Sequence, residues 1–191
     1  MKLHNPKANI TDPNQSLQLL KEGNERFIKN GGMPRNTNEA DRIATKDSQH
    51  PFAAIVTCAD SRCSPELFFD QKIGDIFVLR NAGNVADNSV KGSLEFAVAV
   101  LKVPLVVVVG HTQCGAVYNA QASATGLPQF LQAHLDDIGA HLNKEAGPAD
   151  CVDQNVAVQV AALKENPVLK EAGAMVVGAS YDIETGVVKY L

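Results

Sequence analysis

Leu105-Val106-Val107-Val108-Val109 is an unbroken apolar run, mostly β-branched, with Gly110-His111 directly behind it. It offers no polar face, so it fits a strand buried on both sides in a parallel sheet. It is far shorter than the ~18 residues of a membrane span. A second run, Phe52-Ala53-Ala54-Ile55-Val56-Thr57, has the same character and stops at Cys58. Parallel strands require crossover connections, usually helical, and the segments between the runs read that way. Ser16 to Lys29 predicts an amphipathic helix ended by Gly31-Gly32. Pro65 to Phe69 predicts a short helix with proline at its start, and Ile76 to Leu79 a strand ending in Arg80-Asn81. Helices are expected over Ser93–Leu101, from Gly115 to Ala122, over 128–145, and over 151–164 with Asn166-Pro167 closing the last. Met175 to Ala179 and Val187 to Tyr190 give two more strands, the last an antiparallel edge. Residues 1–13 read as an extended arm and 33–50 as loop. The expected fold class is therefore α/β, with a mainly parallel central sheet flanked by helices and one domain over 1–191. The amphipathic N-terminal helix offers a face to its own domain or to a partner subunit.

The two central runs end in chemistry. The first leads into Cys58-Ala59-Asp60-Ser61-Arg62, the second into His111-Thr112-Gln113-Cys114. Thiolate sulfur and imidazole nitrogen are the donors zinc prefers, and three protein ligands leave the fourth position that a catalytic zinc needs. Ligands of open α/β sheets gather at the carboxyl ends of strands, where both motifs fall. Asp60 and Arg62 follow Cys58 closely enough for a bidentate salt bridge that keeps the carboxylate off the metal.

Charge narrows the partners. The net charge is −4 and the pI about 5.7, with no basic stripe, which excludes the usual nucleic-acid footprint. The start, Met-Lys-Leu-His-Asn-Pro, has no apolar signal-peptide core, and four scattered cysteines make no disulfide framework. A cytoplasmic protein, not associated with a membrane, is expected. Cys63 and Cys151 read as small buried residues. His4, His50, His134 and His141 show no metal-ligand spacing.

With both motifs in view, the chain from about Leu17 to Leu191 resembles the β-class carbonic anhydrases. Cys58-Ala59-Asp60-Ser61-Arg62 is similar to the family's Cys-x-Asp-x-Arg, and His111-Thr112-Gln113-Cys114-Gly115 to its His-x-x-Cys-Gly. The segments Gly74 to Asn84 and Gly92 to Val98 are similar to those between the motifs. The resemblance implies zinc on Cys58, His111 and Cys114, with water as fourth ligand in an active form or Asp60 in a closed one. It implies reversible hydration of carbon dioxide, with Asp60 and Arg62 as the catalytic dyad. It also implies an apolar substrate pocket shared across a dimer interface, in a dimer or a dimer of dimers, with the N-terminal helical arm (1–35) packing on the partner subunit. Gln49 matches an amide reaching in from the partner; Phe77, Ala82 and Phe96 match the apolar lining, and Gly83 allows close backbone approach beside it. Phe96 is a tyrosine in some relatives. Ile55 stands where bicarbonate-regulated relatives carry a tryptophan, which argues against that subtype. Two alternatives remain open at this point. One is a carbonyl sulfide or carbon disulfide hydrolase on the same zinc. The other is a non-catalytic zinc or redox module closed by Cys63.

Overall fold

The computed structural model describes residues 10–31 and 38–191. Five strands build its sheet: β1 (Ala53–Cys58), β2 (Ile76–Asn81), β3 (Leu105–His111), β4 (Met175–Tyr181) and β5 (Val188–Tyr190). Their order is β2-β1-β3-β4-β5, parallel throughout except for antiparallel β5 at the edge. β1 and β3 are buried at every position, as two uniformly apolar runs require. The chain leaves β1 toward one side of the sheet and β3 toward the other. Their neighbouring carboxyl ends therefore flank the point where the connections diverge, the place where such sheets open a crevice. Thr57 pairs with Val109 there, and its hydroxyl donates to the Val109 carbonyl at 3.0 Å.

Two apolar layers cover the sheet. On one face Ala54, Val56, Val106 and Val108 pack against α4 (Asn88–Glu95), α7 (Pro148–Lys164) and α8 (Pro167–Glu171). On the other, Ile55, Val107 and Val109 meet Leu20 of α1 (Pro13–Lys29) and Phe68 of α3 (Pro65–Phe68). A third cluster gathers at the carboxyl end, where α5 (Gly115–Gln121) and α6 (Gln129–Gly139) bring Val117, Leu135 and Ile138 against Cys58 and Cys114.

α1 starts at Pro13, with the Asp12 carboxylate capping Asn14 N at 2.9 Å. It seats on its own domain. Leu20 is fully buried, and Asn24 donates to the Phe68 and Gly186 carbonyls at 2.9 and 2.7 Å while accepting from Val188 N at 2.9 Å. Arg26 adds a 2.6 Å ion pair to buried Asp70. Leu20 and Asn24 of this helix are thus used within its own chain, while Ile28 keeps an apolar side chain at the surface. Most of the extended arm expected over 1–13 lies outside the described residues.

The stretch 33–50, expected as loop, holds a helix, α2 (Glu39–Thr45). Its signal is a reciprocal capping box: Asn38 Oδ1 accepts from Asp41 N, and Asp41 Oδ2 accepts from Asn38 N. Asn166-Pro167 ends α7 and also starts α8, because Asn166 caps Val168 and Leu169 with Pro167 in the first turn. The helix expected over 128–145 ends at Gly139. The one expected at Ser93–Leu101 begins at Asn88 and changes at Phe96–Val100 into a π-helical turn. That turn buries Ala97 and Val98 and leaves Phe96 46% and Val100 60% exposed.

Candidate metal centre

Three side chains converge at the carboxyl ends of β1 and β3. Cys58, His111 and Cys114 are all buried, and their ligand atoms lie within 4.8 Å of one another. The two sulfurs are 3.9 Å apart, close to the ~3.8 Å between thiolates each ~2.3 Å from a tetrahedral zinc. His111 Nδ1 lies 2.8 Å from the Thr112 carbonyl, which can only accept, so Nδ1 carries a proton and Nε2 is the nitrogen turned toward the two sulfurs. His111 Nε2 is buried with no hydrogen-bond partner. A buried imidazole nitrogen left unpaired costs free energy, and here it faces two thiols. The donor set and the orphaned nitrogen fit zinc.

Electrostatics divide the cysteines. The Cys58 thiol is pulled down, first by the hydrogen bond with Cys114 and then, against the cost of burial, by His111 and the Gly83 amide. Cys114 is pushed up, by that same bond and by burial. Burial opposes a charge on His111, but its contacts with Cys58 and Cys63 outweigh this and lift it to about 10. The cluster holds negative charge next to proton-bearing partners, an arrangement a divalent cation would take over.

Asp60 lies at the rim. Arg62 grips it with Nε on Oδ1 at 2.9 Å and Nη2 on Oδ2 at 2.7 Å, and the Arg62 backbone N–H adds a bond to Oδ1 at 2.9 Å. The guanidinium holds the Asp60 carboxyl well below the usual carboxylate range. Asp60 Oδ2 remains 4.0 Å from His111 Nε2, so this acceptor is fixed beside the triad. Arg80 braces the same loop by donating to the Cys58 and Asp60 carbonyls at 3.0 and 2.7 Å.

The expected pocket residues divide into two places. Ala82 and Gly83 lie at the triad, where the Gly83 N–H donates to Cys58 Sγ at 3.3 Å. Gly83 has φ +75°, and a Cβ there would come within 2.8 Å of Ile138 Cδ1, so both backbone and space demand glycine. Gln49, Phe77 and Phe96 are elsewhere. Gln49 precedes the amino end of β1 and lines a cavity of about 290 Å³ with Val100 and Leu101. Phe77 pairs with Ala54 near the start of the strands, and its ring lies 6.5 Å from Phe96. Within one chain these three lie away from the triad and do not line it. A cavity of about 520 Å³ between α5 and α6, bordered by Ser123, Gln132, Asp136 and Lys144, contains no member of the triad.

Cys63 stays outside the three-donor group, in the core cluster with Phe52, Phe68 and Phe69. The structure groups three donors here, one fewer than the closed alternative needs. Cys151 is buried and donates to the Asn143 carbonyl at 3.5 Å. His134, which has no metal-ligand spacing, is placed beside the centre with Nε2 2.6 Å from the Ala82 carbonyl. Only the fold reveals that contact.

A family model for carbonic anhydrase matches residues 53–188, which include the whole triad and the dyad. The chain belongs to the β-carbonic anhydrase family. It is 49% identical over 115 residues to carbonic anhydrase 2 of Mycobacterium tuberculosis, a match covering 59% of this chain and 55% of that relative. A match to a Mycolicibacterium smegmatis carbonic anhydrase likewise spans only 62% of that relative's length. Carbonic anhydrase 1 of Escherichia coli O157:H7 is 31% identical over 190 residues, covering 87% of this chain and 85% of its own. Among solved structures, a β-carbonic anhydrase of Aspergillus fumigatus superposes with TM-score 0.72 at 28% identity, over 93% of this chain and 89% of the other. A structure from Sordaria macrospora, described as one of two tetrameric β-carbonic anhydrases, gives 0.68 at 29% identity, over 76% and 83%. Among the described residues of this family member no helix is long and apolar enough to cross a membrane.

Proposed function

We propose that the protein hydrates carbon dioxide reversibly, using zinc held by Cys58, His111 and Cys114. The observation that carries this reading is the carboxylate of Asp60, fixed by Arg62 beside a buried Cys-His-Cys triad. Zinc held there would lower the pKa of water toward ~7 and supply hydroxide near neutral pH. The chain's own residues do the rest. His111 is locked by Thr112 so that only Nε2 faces the ligand position. Asp60, an acceptor held in one orientation, takes a hydrogen bond from the attacking water and turns its lone pair toward the substrate carbon. The oxygen of water bonds to that carbon, one C=O electron pair moves onto oxygen, bicarbonate forms and a proton passes to buffer. Carbon dioxide is apolar and needs an apolar slot. Phe77, Phe96 and Gln49 supply it from a second copy: they lie away from their own triad, and Phe96 and Val100 leave apolar surface exposed. In this dimer, or a dimer of dimers, the partner subunit's Gln49 steadies substrate beside Ala82 and Gly83. The four free cysteines suit a reducing cytoplasm.

A paired stopped-flow assay on zinc-loaded protein tests the activity. Carbon dioxide hydration well above carbonyl sulfide hydrolysis is expected, and the reverse order would replace this reading with the hydrolase. Arg62→Ala is expected to keep its zinc and lose activity about 10–100-fold, the usual cost of a lost partner to the inner ligands. Freed from the guanidinium and already 4.0 Å from His111 Nε2, Asp60 becomes a competing fourth donor to the ion. X-ray absorption should then show an added carboxylate oxygen, and wild-type turnover in Arg62→Ala would reduce the dyad to a surface ion pair. Gln49→Ala should slow hydration about five- to tenfold, the worth of one hydrogen bond of about 1 kcal/mol. Val100→Glu should split the dimer in sedimentation velocity and lower activity with it. A fully active monomer would remove the shared pocket.

A further inference from the structure

Behind the triad, Gly83 is held from both of its peptide groups. The peptide joining Ala82 to Gly83 turns its N–H to Cys58 Sγ at 3.3 Å and its carbonyl to His134 Nε2 at 2.6 Å. A carbonyl only accepts, so His134 donates. The next peptide turns the Gly83 carbonyl to Asn155 Nδ2 at 2.7 Å. Asn155 is braced in turn by Gln159, one helical turn along α7, whose Nε2 donates to Asn155 Oδ1 at 3.3 Å. Gln159 Oε1 accepts from the Ala86 N–H at 2.9 Å, so α7 grips the turn at residues 82–86 at two backbone points. Asn155 and Gln159 are 2% and 7% exposed. Amides are costly in a core unless paired, and here the nitrogen and oxygen of both are used.

We propose that Asn155, backed by Gln159, and His134 are positioning residues for the metal centre: they fix the Gly83 peptides so that its N–H stays on the Cys58 sulfur. The inference rests on Cys58 as a zinc ligand. An N–H bonded to a thiolate withdraws electron density from the sulfur, and a donor on the far carbonyl of the same peptide polarises that N–H further. Position and donor strength of Cys58 are therefore set from α6 and α7, outside the two sequence motifs.

The test uses full-length protein loaded with zinc or cobalt. Asn155→Asp keeps the volume but sets an acceptor against the Gly83 carbonyl; His134→Ala removes the other donor from a half-exposed helix face and leaves the core intact. Both are expected to bind zinc more weakly in competition with a chromophoric chelator, Asn155→Asp by about 10–100-fold. Both should also shift the sulfur-to-cobalt charge-transfer band to lower energy, a change that loosened packing alone would not give. His134→Gln, which restores a donor, should recover part of both effects. Folded Asn155→Asp and His134→Ala proteins with wild-type zinc affinity and an unmoved band would overturn the proposal. Wild-type protein that takes up neither metal would instead overturn the metal reading on which the proposal rests.

Discussion

Cys58→Ser and Cys114→Ser are each expected to strip the protein of zinc and reduce hydration to background. Serine keeps the shape but its hydroxyl does not ionise near neutral pH, so a strong anionic donor becomes a weak neutral one. The loss must exceed the ~10–100-fold seen when a partner outside the ligand set is removed. Cys58 is the more sensitive of the two. Its sulfur accepts the Gly83 N–H at 3.3 Å, so Cys58→Ser also leaves that amide without its partner. Metal content by elemental analysis, with hydration measured on the same preparation, checks this. Full zinc retention in either variant would mean that the ion is held elsewhere.

Gly23→Ala is the substitution expected to cost most stability. On helix propensity alone, alanine in the middle of α1 would gain about 1 kcal/mol. The local space decides against it. A Cβ at position 23 would overlap the Phe69 carbonyl oxygen and fall 2.7 Å from Gln71 Nε2. The first of these is backbone and cannot swing aside, so α1 must lift. Lifting it breaks the bonds of Asn24 to Phe68, Gly186 and Val188 and unseats Leu20. The overpacking penalty and the broken buried bonds together predict a net loss of about 3 kcal/mol or more. A lower urea midpoint at unchanged slope is the expected result. A midpoint equal to or above wild type would show that α1 does not press on the α3 loop.

The parts of this molecule that the sequence announces are those in which one local pattern has one outcome. The runs at 52–57 and 105–109 admit little but buried parallel strands, and both motifs stand where the strands end. The triad could be read for that reason, since strand pairing alone brings Cys58 and His111 together. Helix α2 was missed because its existence rests on caps and not on apolar periodicity; Asn38-x-x-Asp41 was the signal present. α8 was hidden by a proline that punctuates in both directions. The division of the pocket residues was illegible for another reason. Phe77 and Ala82 are five positions apart in sequence, but an extended strand carries them to opposite ends of the sheet. Asn155, Gln159 and His134 carry no motif at all. Their amides and imidazole are ordinary helix-surface residues until the fold lays them on one turn.

The ligands also set the order in which the centre comes into being. Cys58 is made first, and His111 and Cys114 follow about fifty residues later, beyond β2 and α4. A growing chain that has not yet released β3 from the ribosome offers only Cys58 of the three proposed ligands, and that one donor would hold zinc weakly. On the proposed function, zinc would not template the sheet while the chain is still growing. It would bind where the pairing of β1 with β3 has already brought the ligands together, and lock that closure afterwards. Zinc uptake during synthesis would then record the moment at which those two strands meet.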